Sequence, residues 1–175
     1  VCLPDRPGTL ARTAGVLALN RVSVRSARAF VTDTGVAIER FTVASPGSDA
    51  FDAVRRDLEA VYGGKLALEA RLDRKIADYA SGSAVDARVT VLQDASPHST
   101  VIEVRSADVL GLLYAVTAAM SELDLDIHVA KIDTLGKRVV DVFYVRTAWG
   151  GKLDEDQAAE VVRSIQHRVA QLFGS

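Results

Sequence analysis

The 175-residue sequence has few residues of several types, and each shortage narrows the class of protein that it encodes. Cys2 is the only cysteine, which excludes an internal disulfide framework and a cysteine-based zinc cluster. The 21 basic and 23 acidic side chains form no basic block, so the charge pattern of a nucleic-acid-binding protein is absent. No apolar run approaches the ~20 residues that cross a bilayer, and no secretory signal opens the chain. We therefore expect a soluble, cytoplasmic protein that binds neither nucleic acid nor membrane.

Aromatic residues and lysines are also scarce. Aromatics make up 6% of a sequence that is 49% hydrophobic, so the core must consist mainly of Ala, Val, Leu and Ile. Arginines outnumber lysines 16 to five, a bias that GC-rich codons favour. The chain begins with Val1, and only four residues precede its first turn. Because a strand normally needs about 5–6 residues, we expect a segment of a longer polypeptide.

The chain contains one sequence pattern twice. An Asp-x-x-Gly segment precedes an apolar helical pattern at residues 5–8 and again at 108–111, an offset of 103. Shortly afterwards, at an offset of 102, Glu39 aligns with Asp141. The repeat predicts two related units, one over residues 1–95 and one over 99–175.

Hydrophobic periodicity predicts the same order of elements in both units. The first unit has a truncated strand ending at Pro4, a helix over 9–20, strands over 22–31 and 36–43, a helix over 49–62, an extra helix over 66–79 and a strand over 88–93. The second has a strand over 100–105, a helix from Gly111, strands over 125–130 and 139–145, and a helix over 154–173. This order predicts an α+β fold of two tandem ferredoxin-like βαββαβ units, with helices on one face of antiparallel sheets.

The sequence leaves open how the units are completed and joined. The second unit ends after its second helix, so either its last strand is absent or the strand over 88–93 is shared. The two sheets can be joined at their edges or packed face to face. An exposed sheet edge favours pairing with another chain, which would make a homodimer.

The repeated Asp-x-x-Gly segment is the candidate ligand site. A helix N-terminus offers backbone N–H donors and a partial positive charge to a carboxylate, and Gly8 and Gly111 allow close approach to the backbone. Asp5 and Asp108 add a carboxylate suited to an ammonium group. The combination suits a zwitterion, such as an amino acid. The alternative is that each aspartate merely caps its helix, but a cap does not require the glycine that both units keep.

No other pattern predicts catalysis or a metal site. His98 and His167 lack metal-ligand spacing, and the glycine pairs at 63–64 and 150–151 lack the Lys-Ser/Thr of a phosphate-binding loop. His128 lies on the polar side of its strand, where it could reach a ligand. We expect the chain itself to be non-catalytic.

The residues resemble a known regulatory family. Asp5-Arg6-Pro7-Gly8-Thr9-Leu10, followed by a helix and a hairpin, resembles the opening of an ACT domain, a small βαββαβ module that binds amino acids. The second unit, through residues 100–104, 111–114, 125–136 and 140–145, is similar to the C-terminal ACT domain of PII uridylyltransferase/uridylyl-removing enzymes. The resemblance covers nearly the whole chain, including the extra helix and the strand over 88–93.

The resemblance implies a glutamine sensor. In this family a nucleotidyltransferase domain modifies the nitrogen-signalling protein PII, a metal-dependent hydrolase domain removes the nucleotide, and the ACT pair responds to L-glutamine. The chain would then need no cofactor of its own. Its partners would be L-glutamine or another amino acid, the parent enzyme's catalytic domains, which would use Mg²⁺ and a nucleoside triphosphate, and PII through them. Because actinobacterial members are associated with adenylylation, uridylyl and adenylyl transfer both stay open.

The candidate effector-binding residues are Asp5, Arg6, Pro7, Gly8, Thr9 and Leu10 in the first unit, and Asp108, Val109, Leu110, Gly111, Leu112, Leu113, Ile127 and His128 in the second. The second unit departs from the family pattern, with Val109 and Leu110 in place of Arg and Pro, so it binds differently or only one unit is competent. Two other functions remain open: a stand-alone amino-acid-binding ACT pair, and a dimerisation module without a ligand.

Overall fold

The computed structural model describes residues 1–44, 47–77 and 87–172. Its elements are β1 (Cys2–Pro4), α1 (Thr9–Leu19), β2 (Val24–Val31), β3 (Val36–Val43), α2 (Ser48–Tyr62), α3 (Leu68–Ala77), β4 (Arg88–Leu92), β5 (Thr100–Ala107), α4 (Leu112–Glu122), β6 (Asp126–Leu135), β7 (Arg138–Arg146) and α5 (Glu155–Gln171). A short 3-10 turn, Gln93–Ala95, links β4 to β5. Within these ranges no helix has the length and apolar character to cross a membrane.

The order of elements agrees with the prediction in both units, and the α+β class is confirmed. Strand β6 is longer than predicted and continues to Leu135, because β2 and β7 hydrogen-bond to it on both sides. Residues 78–79 and 173, the predicted ends of two helices, lie outside the described residues.

All seven strands form one antiparallel sheet in the order β1-β3-β2-β6-β7-β5-β4. The two units join edge to edge through β2 and β6, where Ala29 lies opposite Ala130. Strand β4, predicted over 88–93, lies at the far end of the sheet and pairs with β5. It therefore extends the sheet beside the second unit, far from β1, β2 and β3.

The helices cover one face of this sheet. Helices α1 and α4 lie side by side, α2 and α3 contact α1, and α5 contacts α4. Along β7 the side chains of Val139, Asp141, Phe143 and Val145 are buried, and those between them are half-buried. This period-2 burial is typical of a sheet with one covered face.

Strand register arranges the covered side chains in rows across both units. One row contains Glu39, Ala29, Ala130, Phe143 and Ile102. The next contains Phe41, Ala27, Ile132, Asp141 and Val104. Each row thus carries one carboxylate among apolar side chains on the face that the helices cover.

Gly15 allows three helices to approach one another closely. It lies inside α1, where a Cβ atom would be 2.8 Å from Leu68 Cδ2 of α3 and 2.9 Å from Tyr114 Cδ2 of α4. Glycine in a helix interior is less favourable than alanine by ~1 kcal/mol. The close contact across the two units explains its presence here.

We predict that Gly15→Val lowers the free energy of unfolding by about 2–3 kcal/mol, because the added methyl groups overpack this contact. Urea denaturation measures the change. The control is Ala159→Val on the exposed face of α5, which should change the free energy by less than ~1 kcal/mol. Equal effects of the two substitutions would contradict the packing role of Gly15.

Candidate functional site

Two clefts lie between the units, one at each end of the α1–α4 pair. The first encloses about 300 Å³ and is lined by residues 5–11 of the first unit together with Thr117, Ser121 and residues 124–127 of the second. The second encloses about 230 Å³ and is lined by residues 108–114 together with Ala14, Leu17, Ala18 and residues 21–24. The 103-residue repeat relates the two linings, so the clefts are pseudo-symmetric. Each combines the Asp-x-x-Gly loop of one unit with the helix–strand junction of the other.

The two helix starts have the same geometry. Gly8 with φ 76° and Gly111 with φ 86° are the N-cap residues of α1 and α4, and neither helix receives a side-chain cap. Glycine adopts this left-handed conformation readily. Helix capping by Asp5 and Asp108, the alternative interpretation, is therefore wrong. Asp154, by contrast, caps α5 by accepting a hydrogen bond from Gln157 N.

The two loop aspartates are fixed by the hairpin of their own unit. Asp5 N donates to Gly35 O and Asp108 N donates to Lys137 O, each over 2.9 Å. Partial burial raises the pKa of both carboxyls, and the charge of Asp126 raises the pKa of Asp5 further. A bound cationic group would offset this desolvation by pairing with the ionised carboxylate.

Two buried carboxylates lie deeper in the clefts. Glu39 on β3 lines the first cleft and is 4% exposed; Asp141 on β7 lines the second and is 1% exposed. Each has one oxygen, Glu39 Oε2 and Asp141 Oδ1, without a hydrogen-bond partner. Sequence reasoning aligned these residues but did not assign them to the site. The available signal was an acidic residue at the same position of two apolar strands.

The surroundings of the two buried carboxylates differ. An interaction with the Thr13 hydroxyl partly opposes the rise that burial causes in the pKa of Glu39, and the same hydroxyl lies 2.9 Å from the Tyr62 hydroxyl. The repeat places Val116, which has no hydroxyl, where the first unit has Thr13. Burial first, and then the charges of Asp108 and Asp133, raise the pKa of Asp141 to about 7.

All the remaining candidate residues except His128 line one of the two clefts. Arg6, Pro7, Thr9 and Leu10 line the first cleft, and Val109, Leu110, Leu112 and Leu113 line the second. Ile127 lines the first cleft, and so lies with the loop of the other unit. His128 lines neither cleft: its ring packs edge-on against Tyr144, and its Nε2 lies 3.1 Å from Ser99 Oγ. Burial and the charge of Arg146 lower its pKa.

The acidic side chains of the clefts do not form a metal site. In the described part of the chain, no group of three or more His, Cys, Asp and Glu side chains is arranged to hold a metal ion. The geometry of both clefts instead offers separated carboxylates and a helix start, which suits an organic ligand with charges of both signs.

Comparison with protein families agrees with this architecture. Residues 1–61 match the ACT domain family, and residues 95–172 match the family described as the ACR family N-terminal ACT domain. The chain is a tandem pair of ACT domains. The ferredoxin-like pair predicted from the repeat is thereby confirmed.

The ACT pair is similar to part of several longer enzymes, each named bifunctional uridylyltransferase/uridylyl-removing enzyme. It is 35% identical to the one from Azospirillum brasilense over 95% of this chain and 19% of the relative. The corresponding values are 36%, 95% and 21% for Streptomyces coelicolor, and 32%, 98% and 19% for Rhodospirillum rubrum. The chain thus spans about a fifth of the length of these relatives.

We predict that Asp141→Asn raises the free energy of unfolding by an amount on the order of 2–4 kcal/mol at pH 8 and by a smaller amount, about 1–2 kcal/mol, at pH 5. The folded-state pKa of about 7 lies above the ordinary value of 3.8. The folded state therefore binds more protons than the unfolded state between these values, and stability falls as the pH rises through that window. Urea denaturation of both proteins at the two pH values measures the difference.

Glu39→Gln is the matched comparison for this experiment. Because Thr13 already stabilises the Glu39 carboxylate, the substitution should produce a smaller gain between pH 5 and pH 8. An Asp141→Asn protein whose stability follows the wild-type pH profile would contradict the assignment of a strongly desolvated carboxyl at this position.

Proposed function

We propose that this ACT pair is the amino-acid-sensing region of an enzyme that attaches a nucleotide to PII and removes it, and that its effector is L-glutamine. The observation that carries the proposal is the construction of each cleft from both units. A ligand bound in such a cleft contacts the loop of one unit and the helix end of the other. Its binding would therefore change how firmly the two units are held together.

The chemistry of the clefts supports an amino acid. In either cleft an aspartate, Asp5 or Asp108, can pair with an α-ammonium group, and the adjacent helix start can receive the α-carboxylate. Volumes of about 300 Å³ and 230 Å³ lie at or below the lower limit of pockets for drug-sized ligands, about 300–1,000 Å³. The clefts therefore suit a metabolite of amino-acid size.

Control of catalysis would be exerted on other domains of the parent enzyme. We infer that those domains bind Mg²⁺, a nucleoside triphosphate and PII, and that this chain supplies the effector signal. The names of the relatives support uridylyl transfer. Glutamine binding would then bias the parent enzyme between addition and removal of the nucleotide.

We predict that isothermal titration calorimetry with L-glutamine detects binding to this chain. Asp5→Asn and Asp108→Asn each remove one carboxylate that can pair with the ammonium group, so the substitution in an occupied cleft should weaken binding at that cleft at least about tenfold. Asp33→Asn in the exposed β2–β3 turn is the control and should leave the affinity unchanged. No heat with L-glutamine or any other common amino acid would overturn the proposal and favour a dimerisation module.

In the full-length enzyme, we predict that L-glutamine shifts the ratio of PII modification to PII de-modification. The aspartate substitution that weakens binding should raise the glutamine concentration needed for half of this shift, also by about tenfold. The basal rates without glutamine should stay close to those of the wild type, because neither aspartate belongs to a catalytic domain. An unchanged glutamine response in both variants would contradict sensing through these clefts.

A further inference from the structure

The two clefts differ in the charge at one position on the opposing unit. The second cleft is lined by Arg21, which follows α1 and has φ 56°. The repeat aligns Arg21 with Asp124, which follows α4, has φ 53° and lines the first cleft. A ligand carboxylate would therefore meet a guanidinium in the second cleft and a second carboxylate in the first.

The balance of charges along the cleft walls reinforces this difference. The second cleft has Asp108 and Asp141 on one unit and Arg21 on the other. The first has Arg6 among four carboxylates, Asp5, Glu39, Asp124 and Asp126. Both clefts therefore have groups of opposite sign on separate walls, but in the first cleft carboxylates also stand on the wall of Arg6 and outnumber it four to one. The second cleft is closer to the charge balance of a zwitterion, with its carboxylates on one wall and its guanidinium on the other.

The two buried carboxylates also differ in the polar neighbours that the protein itself provides. Glu39 has the Thr13 hydroxyl as a polar neighbour that lowers its pKa, and this hydroxyl lies next to that of Tyr62. Asp141 lies between Ile132 and Val104 in the strand register, and its Oδ1 has no partner. A buried acceptor without a donor is unfavourable, and features of this kind concentrate at functional sites. Asp141 lines the second cleft, so its unsatisfied carboxyl belongs to the wall that a ligand in that cleft would contact.

We propose that the second cleft is the principal ligand site, that Asp141 together with Asp108 receives the ammonium group of the ligand, and that Arg21 receives its carboxylate. This assignment rests on the proposed amino-acid-binding function and specifies which cleft carries it. The absence of an Arg-Pro pair in the second loop, where Val109 and Leu110 stand instead, is then compensated by a guanidinium from the other unit.

Binding at Asp141 is coupled to pH. The charges that act on it are those of Asp108 from the β5–α4 loop and of Asp133, which lies on the other face of β6 and pairs with Arg28; Arg21 lines the far wall of the same cleft. On β5, Val104 lies opposite Asp141, and the neighbouring Glu103 and Arg105 pair with each other. The one charged residue of α4, Glu122, pairs with Arg168. Because burial raises the pKa of Asp141 to about 7, its carboxyl is partly protonated at neutral pH, and an ammonium ligand that pairs with the carboxylate displaces that proton to solvent.

The experiment is calorimetry with L-glutamine at pH 6 and pH 7, in phosphate and in Tris, whose ionisation enthalpies differ. The wild type should release about half a proton per ligand at pH 7 and bind roughly fivefold more weakly at pH 6. Asp141→Asn should bind at least about tenfold more weakly, with no proton release; Arg21→Gln should also bind more weakly but keep the proton release. Glu39→Gln, the matched substitution in the first cleft, should retain the tight, proton-releasing event.

The outcomes separate this inference from the proposed function. Absence of any amino-acid binding by the wild type overturns both. Wild-type binding that Asp141→Asn leaves unchanged, or that Glu39→Gln abolishes, overturns the cleft assignment and leaves the sensing function standing. Circular dichroism at pH 7 shows whether each variant is folded. If Asp141→Asn is not folded, the proton release and the pH dependence of wild-type binding test the role of Asp141. Wild-type binding that shows neither contradicts that role.

Discussion

The antiparallel pairing of β2 with β6 is the constraint on which both clefts depend. It places the edge strands of the two units side by side, with Ala27 opposite Ile132 and Ala29 opposite Ala130. The Arg28–Asp133 ion pair across this joint is half exposed and contributes little by itself. The joint therefore depends on backbone hydrogen bonds and on burial of small apolar side chains. Without it, each Asp-x-x-Gly loop would face solvent, and neither cleft would have its second wall.

The scarcity of aromatic residues has a structural counterpart at this joint. Alanines occupy the covered face of β2 and β6, and Gly15 lies where α1, α3 and α4 meet. Small side chains allow the helix layer to lie close to the sheet and α1 to lie close to α4. The same close packing brings the end of each helix to the loop of the other unit, so the composition of the core and the position of the site have one cause.

Duplication has preserved the backbone of the two units while their chemistry has diverged. The left-handed glycines, the loop aspartates and the positive φ values at Arg21 and Asp124 recur at corresponding positions. The side chains that line the clefts differ, with Arg21 against Asp124, and Thr13 beside Glu39 corresponds to Val116 in the second unit. A pair of this kind can keep one cleft for the effector and use the other to maintain the interface. This division of roles is compatible with a regulatory region.

The repeat, the order of elements and the glycine at each helix start were predictable from the sequence because they depend on local periodicity and on φ at single residues. The joining of β2 to β6 and the second wall of each cleft depend on contacts between segments about 100 residues apart, which local patterns do not encode. Strand β4 pairs with β5, which follows it closely in the chain, but the order of elements leaves open which unit this strand extends. The burial of Glu39 and Asp141 likewise depends on tertiary contacts. Their alignment is visible in the sequence, but which face of the sheet the helices cover decides whether a carboxylate there is solvated or enclosed in a cleft.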